Sequence, residues 1–284
     1  MIVAVASGKG GTGKTTVALA LAAMAGPETR LLDCDVEEPN CHLFLPSEVK
    51  CQATVHVPVP VVDPARCNGC GQCAQFCAYH ALAALPRQLL IFPELCHSCG
   101  GCFQVCPTQA LHEEPEAIGT IEIRRHQNLE LISGRLTVGK TMSPPLIRAV
   151  KKYIDGRNTT VIDCPPGTAC PVVTAVRGAD YVVLVTEPTP FGLHDLTLAV
   201  DVMRELGLAC GVILNRADAG DRSVHDYCRR ENLPLLLEIP QRRAIAEAYS
   251  RGQPLLEAMP ELQQEFRQLV ERLKTEIATG ALVP

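Results

Sequence analysis

No run of lysines and arginines occurs in the 284 residues, and no stretch approaches the ~20 consecutive apolar residues that a membrane-spanning helix requires. Together with a formal net charge of −5, the first absence removes the basic footprint that phosphate backbones and anionic lipids attract. The sequence therefore predicts no nucleic-acid partner and no membrane anchor. The amino terminus passes from an apolar segment straight into a functional loop at Gly8, which cleavage of a leader would remove, so a cytoplasmic location is expected. Apolar residues make up 47% and charged residues 20%, an ordinary globular balance. At about 150 residues per domain the length fits one large or two modest domains. Fifteen cysteines are present, but a chain this long and apolar does not need disulfide staples.

Their spacing is more informative than their number. Eight fall between Cys67 and Cys106 in two similar runs, while Cys34, Cys41, Cys51, Cys164, Cys170, Cys210 and Cys228 are scattered. Around the dense region the chain alternates apolar runs with helical patterns. Met1–Ala6 reads as a buried strand, Gly8–Gly13 as a glycine-rich turn and Lys14–Ala25 as a helix ended by Gly26-Pro27. Further strands are expected at Arg30–Asp33, Thr159–Ile162, Tyr181–Thr186, Ala209–Leu214 and Leu235–Ile239. Helices are expected near Pro144–Ile154, Cys170–Arg177, Leu193–Leu206, Ser223–Glu231 and Glu261–Ile277, the last with an apolar stripe from Leu262 to Ile277. Such alternation implies an α/β fold, a mostly parallel sheet with helices on both faces. The stretch from Val61 to about His112 breaks the rhythm with dense Cys, Gly and Pro and reads as an insert. Ile118–Arg125 and Asn128–Ile132 then alternate polar and apolar residues, as a hairpin would. The expected division is residues 1–60 and 114–284 for the α/β domain and 61–113 for the insert.

Gly8-Lys9-Gly10-Gly11-Thr12-Gly13-Lys14-Thr15-Thr16 follows a strand and opens a helix. In that setting small residues let backbone N–H groups turn inward around phosphates, and the helix amino terminus adds partial positive charge. Lys14 can then reach the β and γ oxygens and Thr15 can ligate Mg²⁺. A glycine-rich turn without nucleotide is the bland alternative.

The extra lysine at position 9 makes the loop resemble the deviant phosphate loop of the MinD/ParA/nitrogenase-iron-protein class of P-loop ATPases. The resemblance implies an ATP-dependent homodimer in which Lys9 reaches the nucleotide of the other subunit. It also implies that Leu31-Leu32-Asp33-Cys34-Asp35 is switch I, with Asp35, ahead of Asp33, orienting or deprotonating the attacking water and contacting the metal shell. Val161–Thr168 looks like the Walker B strand and switch II, with Asp163 holding the Mg²⁺ water shell and Gly167 offering a γ-phosphate-sensing N–H. Asn215, closing another strand, is the candidate reader of the adenine edge, and Pro240 begins a segment that flanks the base. In this reading Lys9, Lys14, Asp35 and Asp163 carry catalysis, and Mg²⁺ lies among Thr15, Asp35 and Asp163.

Cys67-x₂-Cys70-x₂-Cys73-x₃-Cys77 and Cys96-x₂-Cys99-x₂-Cys102-x₃-Cys106-Pro107 repeat one pattern, the spacing of a bacterial ferredoxin with two [4Fe–4S] clusters. The fourth cysteine of each run serves the other cluster in such proteins. One cluster is then expected on Cys67, Cys70, Cys73 and Cys106, the other on Cys96, Cys99, Cys102 and Cys77. Zinc is the rival, since paired CxxC units also build tetrahedral sites. Within Val61–His112, Asp63, Arg66, Arg87 and Glu94 leave no net charge, so a long-range field would not draw a partner to that stretch. His80, His97 and His112 are expected to be surface or packing residues. By the same resemblance, Cys170 lies just beyond switch II, near where the nitrogenase iron protein holds a cluster between its subunits, a position that needs a second cysteine from an earlier loop. No second cysteine occurs between Pro107 and Asp163, so Cys34, Cys164, Cys170 and the other scattered cysteines are expected to be small buried side chains.

The leading expectation is an ATPase dimer whose nucleotide state governs electron transfer through two clusters, with an unidentified redox or iron–sulfur protein as partner. An ATP-dependent iron–sulfur carrier is the second reading, and a positioning ATPase the third.

Overall fold

The computed structural model describes residues 1–86 and 88–280, so Arg87, counted in the insert's charge, lies outside it. The chain divides into two compact units: Met1–Gln52 with Ile121–Arg135 and Ile147–Pro284, and Ala53–Thr120 with Leu136–Leu146.

In chain order, β1 (Ile2–Ala6) leads through the glycine loop into α1 (Lys14–Met24), and β2 (Thr29–Asp33) follows. The long β3 (Val49–Val62) precedes the cysteine-rich segment, which holds α2 (Gln72–Phe76), β4 (Leu82–Leu85), β5 (Gln88–Ile91) and α3 (Gly101–Gln104). Then come β6 (Leu111–His126) and β7 (Leu129–Leu136), turning at Gln127, whose φ is 51°. The remainder alternates: α4 (Ser143–Lys151), β8 (Thr160–Asp163), α5 (Cys170–Val176), β9 (Tyr181–Thr186), α6 (Pro190–Glu205), β10 (Cys210–Asn215), α7 (Ser223–Arg230) and β11 (Leu235–Ile239). Three helices close the chain: α8 (Arg243–Ser250), α9 (Leu255–Ala258) and α10 (Leu262–Thr279).

The strand order is β11-β10-β9-β1-β8-β2-β7, continued by β6 and β3. Every pairing from β11 to β7 is parallel, which accounts for the near-continuous Val/Ile/Leu content of β9 and β10. β1 lies centrally, between β8 and β9, and its carboxyl end opens onto the glycine loop, the edge where open α/β sheets bind ligands. Register places Asp33 beside Asp163, so two segments 130 positions apart in numbering end together at the same edge.

Helix α1 is buried all round from Val17 to Ala22 because it is held between the sheet and α10. Leu262, Phe266, Leu269, Val270 and Leu273 of α10 are buried, and Ile277 packs against the same core half-buried, following the apolar stripe. Among the described residues no helix is long and apolar enough to cross a membrane. Helix α6 begins at Pro190, three residues before the sequence expectation, because Thr189 caps it: the Thr189 hydroxyl accepts from the Gly192 amide at 3.0 Å.

The second unit is built on short elements. β4 and β5 form an antiparallel two-stranded sheet, and Cys73, Ala81, Leu82, Cys102 and Leu111 make a small core of their own. Gly71 and Gly100 precede α2 and α3 with φ near +74°, a conformation that costs glycine nothing.

Candidate functional site

The glycine loop turns through two left-handed residues, Gly11 (φ 79°) and Gly13 (φ 95°). At Gly13 a side chain is excluded twice, since a Cβ there would also lie 2.5 Å from Asn215 Nδ2. Gly8 is constrained by space alone, its Cβ position being filled by the Asp195 backbone. Lys14 opens α1 with its side chain buried at 6% exposure. The Thr15 hydroxyl donates to Asp163 Oδ2 at 2.6 Å, which joins the start of α1 to the end of β8.

Beside the loop is a cavity of about 810 Å³, a size that accommodates a nucleotide. Gly10, Gly11, Gly13, Lys14, Thr15 and Thr16 form one wall. Asp35, Asn215 and Pro240 line other parts of it, so residues from four separate segments meet there. Burial pushes the Asp35 carboxyl up to about 6, against the opposing charge of Lys14. Thr12 is buried outside the lining, and its carbonyl accepts from Asn215 Nδ2 at 2.8 Å. Asn215 Oδ1 in turn accepts from the Arg216 amide at 3.0 Å. Asn215 thus ties the strand end to the phosphate loop as well as facing the cavity.

Lys9, Asp163 and Gly167 do not line the cavity. Lys9 is half-buried, and its carbonyl accepts from the Ser7 hydroxyl at 2.5 Å. Asp163 lies beneath the wall, fully buried, with its carboxyl raised by that burial. The Gly167 amide, expected to face a phosphate, donates to the Ser7 carbonyl at 3.0 Å. A γ-phosphate contact requires that bond to open first.

Several lining residues escaped the sequence reading. Arg216 sits at φ 55°, a strained setting for a long side chain, and reaches Glu187 at 2.9 Å. Asn40 and Tyr249 also face the cavity. Arg216 was discoverable as the neighbour of Asn215 at a strand end. Neither Asn40 nor Tyr249 carries a comparable signal.

In the second unit the eight cysteines gather as two sets around two cavities. Cys67, Cys70, Cys73 and Cys106 line one, and Cys77, Cys96, Cys99 and Cys102 the other. The fourth cysteine of each run is therefore with the first three of the opposite run. Backbone amides point at sulfur: Ala110 to Cys106 Sγ at 3.2 Å, Ala81 to Cys77 Sγ at 3.4 Å and Ser98 to Cys96 Sγ at 3.4 Å. Burial pushes the Cys106 thiol up, but hydrogen bonds from Ala110, Thr108 and Leu111 outweigh it and hold the thiol below its ordinary value. Burial, then the neighbouring Cys96 and Cys99, pushes Cys102 up to about 11. A cation bound among sulfurs this crowded would stabilise them as thiolates, and the amide donors already point at three of them. His97 is exposed and stacks on Tyr79 with centroids 3.5 Å apart, and His80 and His112 are also exposed.

The expectation for the scattered cysteines needs correction at two positions. Cys34, Cys41, Cys164, Cys210 and Cys228 are buried, but Cys51 and Cys170 are exposed. Cys51 lies on the solvated part of β3, and Cys170 starts α5 on its exposed side, while Val172 of the same turn is buried.

Comparison with known proteins agrees with this geometry. The CobQ/CobB/MinD/ParA nucleotide binding domain matches residues 3–255. An uncharacterised protein of Methanocaldococcus jannaschii is 29% identical, the match covering 99% of this chain and 98% of that one. An iron–sulfur cluster carrier protein of Rickettsia bellii is 28% identical over 52% of each chain. Among solved structures, the septum site-determining protein MinD of Pyrococcus horikoshii, complexed with Mg-ADP, has the same fold, with a TM-score of 0.59 and 23% identity over 96% of this chain and 95% of that one. A loop with two left-handed glycines, a buried lysine and a threonine bound to a strand-end aspartate, matched along most of its length by one domain family, makes this chain a member of the CobQ/CobB/MinD/ParA nucleotide-binding family.

Proposed function

We propose that the protein is an ATPase that dimerises with ATP and couples its nucleotide state to electron transfer through two [4Fe–4S] clusters. The observation that carries the reading is the crossed grouping of cysteines, Cys106 with the first run and Cys77 with the second, in the same chain as the phosphate loop. Two tetrahedral zinc sites give no reason for three cysteines of one run to recruit the fourth of the other, whereas two-cluster ferredoxins do so. The ferredoxin portion is residues 61–113, and the ATPase portion residues 1–60 and 114–284.

In the ATPase portion, Lys14 and the loop amides from Gly8 to Thr16 bind the phosphates. Thr15, Asp35 and Asp163 would hold Mg²⁺, which would supply charge neutralisation at the phosphates. Asp35, with its carboxyl raised toward neutrality, positions the attacking water and accepts its proton. Lys9, which does not line its own cavity, serves the partner subunit's nucleotide. The Gly167 amide exchanges Ser7 for the γ-phosphate, and Asn215 and Pro240 bracket the base.

In the ferredoxin portion, Cys67, Cys70, Cys73 and Cys106 hold one cluster and Cys77, Cys96, Cys99 and Cys102 the other. These groups supply one-electron storage, and the amides of Ala81, Ser98 and Ala110 stabilise sulfur charge there. The partial likeness to an iron–sulfur cluster carrier favours a second reading, in which clusters are cargo passed to an acceptor protein.

Anaerobically purified protein tests both. About eight irons and eight sulfides per chain that remain after incubation with an apo-acceptor and gel filtration support electron transfer. Loss of clusters to the acceptor selects the carrier, and stoichiometric zinc without visible absorption rejects both.

A further inference from the structure

Beneath the floor of the nucleotide cavity lie three side chains that ATP hydrolysis uses only in part. Asp33, Cys41 and Asp163 are fully buried, and one ligand atom from each lies within 4.8 Å of the others. Donors are in short supply among them. The Asn40 and Cys41 amides both donate to Asp33 Oδ2 at 3.1 Å. The Thr15 hydroxyl at 2.6 Å and the Cys41 thiol at 3.4 Å both donate to Asp163 Oδ2. Asp33 Oδ1 and Asp163 Oδ1 are buried with no partner at all. A buried carboxylate oxygen without a partner is costly, and here there are two, on carboxylates that each bring an oxygen within 4.8 Å of the Cys41 sulfur.

We propose that Asp33, Cys41 and Asp163 form a binding site for a thiophilic divalent cation of the Zn²⁺ or Fe²⁺ class. Such a cation satisfies both unpartnered oxygens at once. Its selectivity comes from sulfur, because Mg²⁺ takes oxygen ligands whereas zinc accepts thiolate and carboxylate together. Coordination displaces the Cys41 thiol proton and any proton held on the Asp33 or Asp163 carboxyl, all of which leave to solvent, and no electron is transferred. The route in is the nucleotide cavity, since Thr15 and Asn40, which donate to the two carboxylates, both line it.

The site is separate from the eight cysteines of the second unit and does not depend on their having clusters. Its consequence for nucleotide does rest on the ATPase reading. Two divalent cations sharing the Asp163 carboxylate repel one another, so Mg²⁺ bound for ATP and the second cation weaken each other by the same factor.

The test is Zn²⁺ binding by the full-length, cluster-loaded protein in equilibrium dialysis. Wild type is expected to bind one zinc more than Cys41→Ser, a difference in which sites elsewhere cancel. Zinc-edge X-ray absorption of that equivalent should show one sulfur at ~2.3 Å and oxygens at ~2.0–2.2 Å. Equal stoichiometry in wild type and Cys41→Ser overturns the proposal. Asp33→Asn keeps the thiol, guards against a folding defect at Cys41, and should weaken the same equivalent at least tenfold; unchanged affinity overturns the proposal too. Adding Mg²⁺ and ADP should lower the zinc affinity. If that zinc equivalent is present but indifferent to nucleotide, the cation site stands and the assignment of Asp163 to the nucleotide's metal fails instead.

Discussion

Replacing Gly13 with alanine should test the geometry of the phosphate loop without touching a charged group. The substitution meets two separate costs. The backbone is left-handed at φ 95°, which disfavours an L side chain by about 1–2 kcal/mol. The new methyl group would also lie 2.5 Å from Asn215 Nδ2, so that amide must move and lose its 2.8 Å bond to the Thr12 carbonyl. That bond is worth about 1 kcal/mol. Gly13→Ala should therefore destabilise the protein by roughly 2–3 kcal/mol in all. The two parts separate in a double-mutant cycle with Asn215→Ala, which removes both the obstacle and the bond. In that background Gly13→Ala should cost only the backbone part, giving an interaction energy of about 1 kcal/mol. Urea denaturation of the four proteins measures it. Strict additivity would show that Asn215 is not packed against the loop as described, and a cost below about 0.5 kcal/mol in both backgrounds would show that position 13 is not left-handed.

Three further outcomes follow from the site. Asp35→Ala should trap a dimer in ATP and Mg²⁺, whereas Lys9→Ala should bind ATP yet stay monomeric and inactive, as sedimentation velocity can resolve; a Lys9→Ala protein that dimerises and turns over normally removes the cross-subunit role. Cys106→Ser should damage the cluster of the first run and Cys77→Ser that of the second, distinguishable by electron paramagnetic resonance of the reduced protein, and damage confined to each residue's own run would refute the crossed ligation. Burial holds the carboxyls of Asp33 and Asp35 at about 8 and about 6 in the folded state, against 3.8 as the ordinary value. The folded protein thus binds more protons than the unfolded chain between roughly pH 4 and pH 8, and this contribution to stability is lost as pH rises through that window. The urea midpoint of nucleotide-free wild type should fall with rising pH relative to Asp33→Asn, and parallel pH profiles would contradict it.

Much of the α/β framework was legible because its strands are continuous apolar runs and its loop has a fixed spelling. Tyr181–Thr186 and Leu235–Ile239 were read to the residue, the first an apolar run up to Thr186 and the second broken only by Glu238. β6 was read too short, from Ile118 instead of Leu111, because Glu113-Glu114-Pro115-Glu116 hides the strand's alternation behind charge and proline. Short, uncapped helices such as α9, with four residues, leave little periodicity to detect. The contact between Cys41 and Asp163 spans 122 positions and carries no spacing signal, so only the folded chain reveals it. Gly167 shows a different limit: sequence placed it at switch II, but not the Ser7 carbonyl that occupies its amide.

The central claim is that nucleotide and the clusters influence each other, and the direct measurement is the reduction potential of each cluster in the Asp35→Ala protein with and without ATP. Linkage requires any change in potential to be matched by a change in ATP affinity on reduction. A shift of some tens of millivolts is expected, where ~59 mV corresponds to a tenfold change in affinity for a one-electron couple. Identical potentials, with identical ATP affinity in oxidised and reduced protein, would contradict the account.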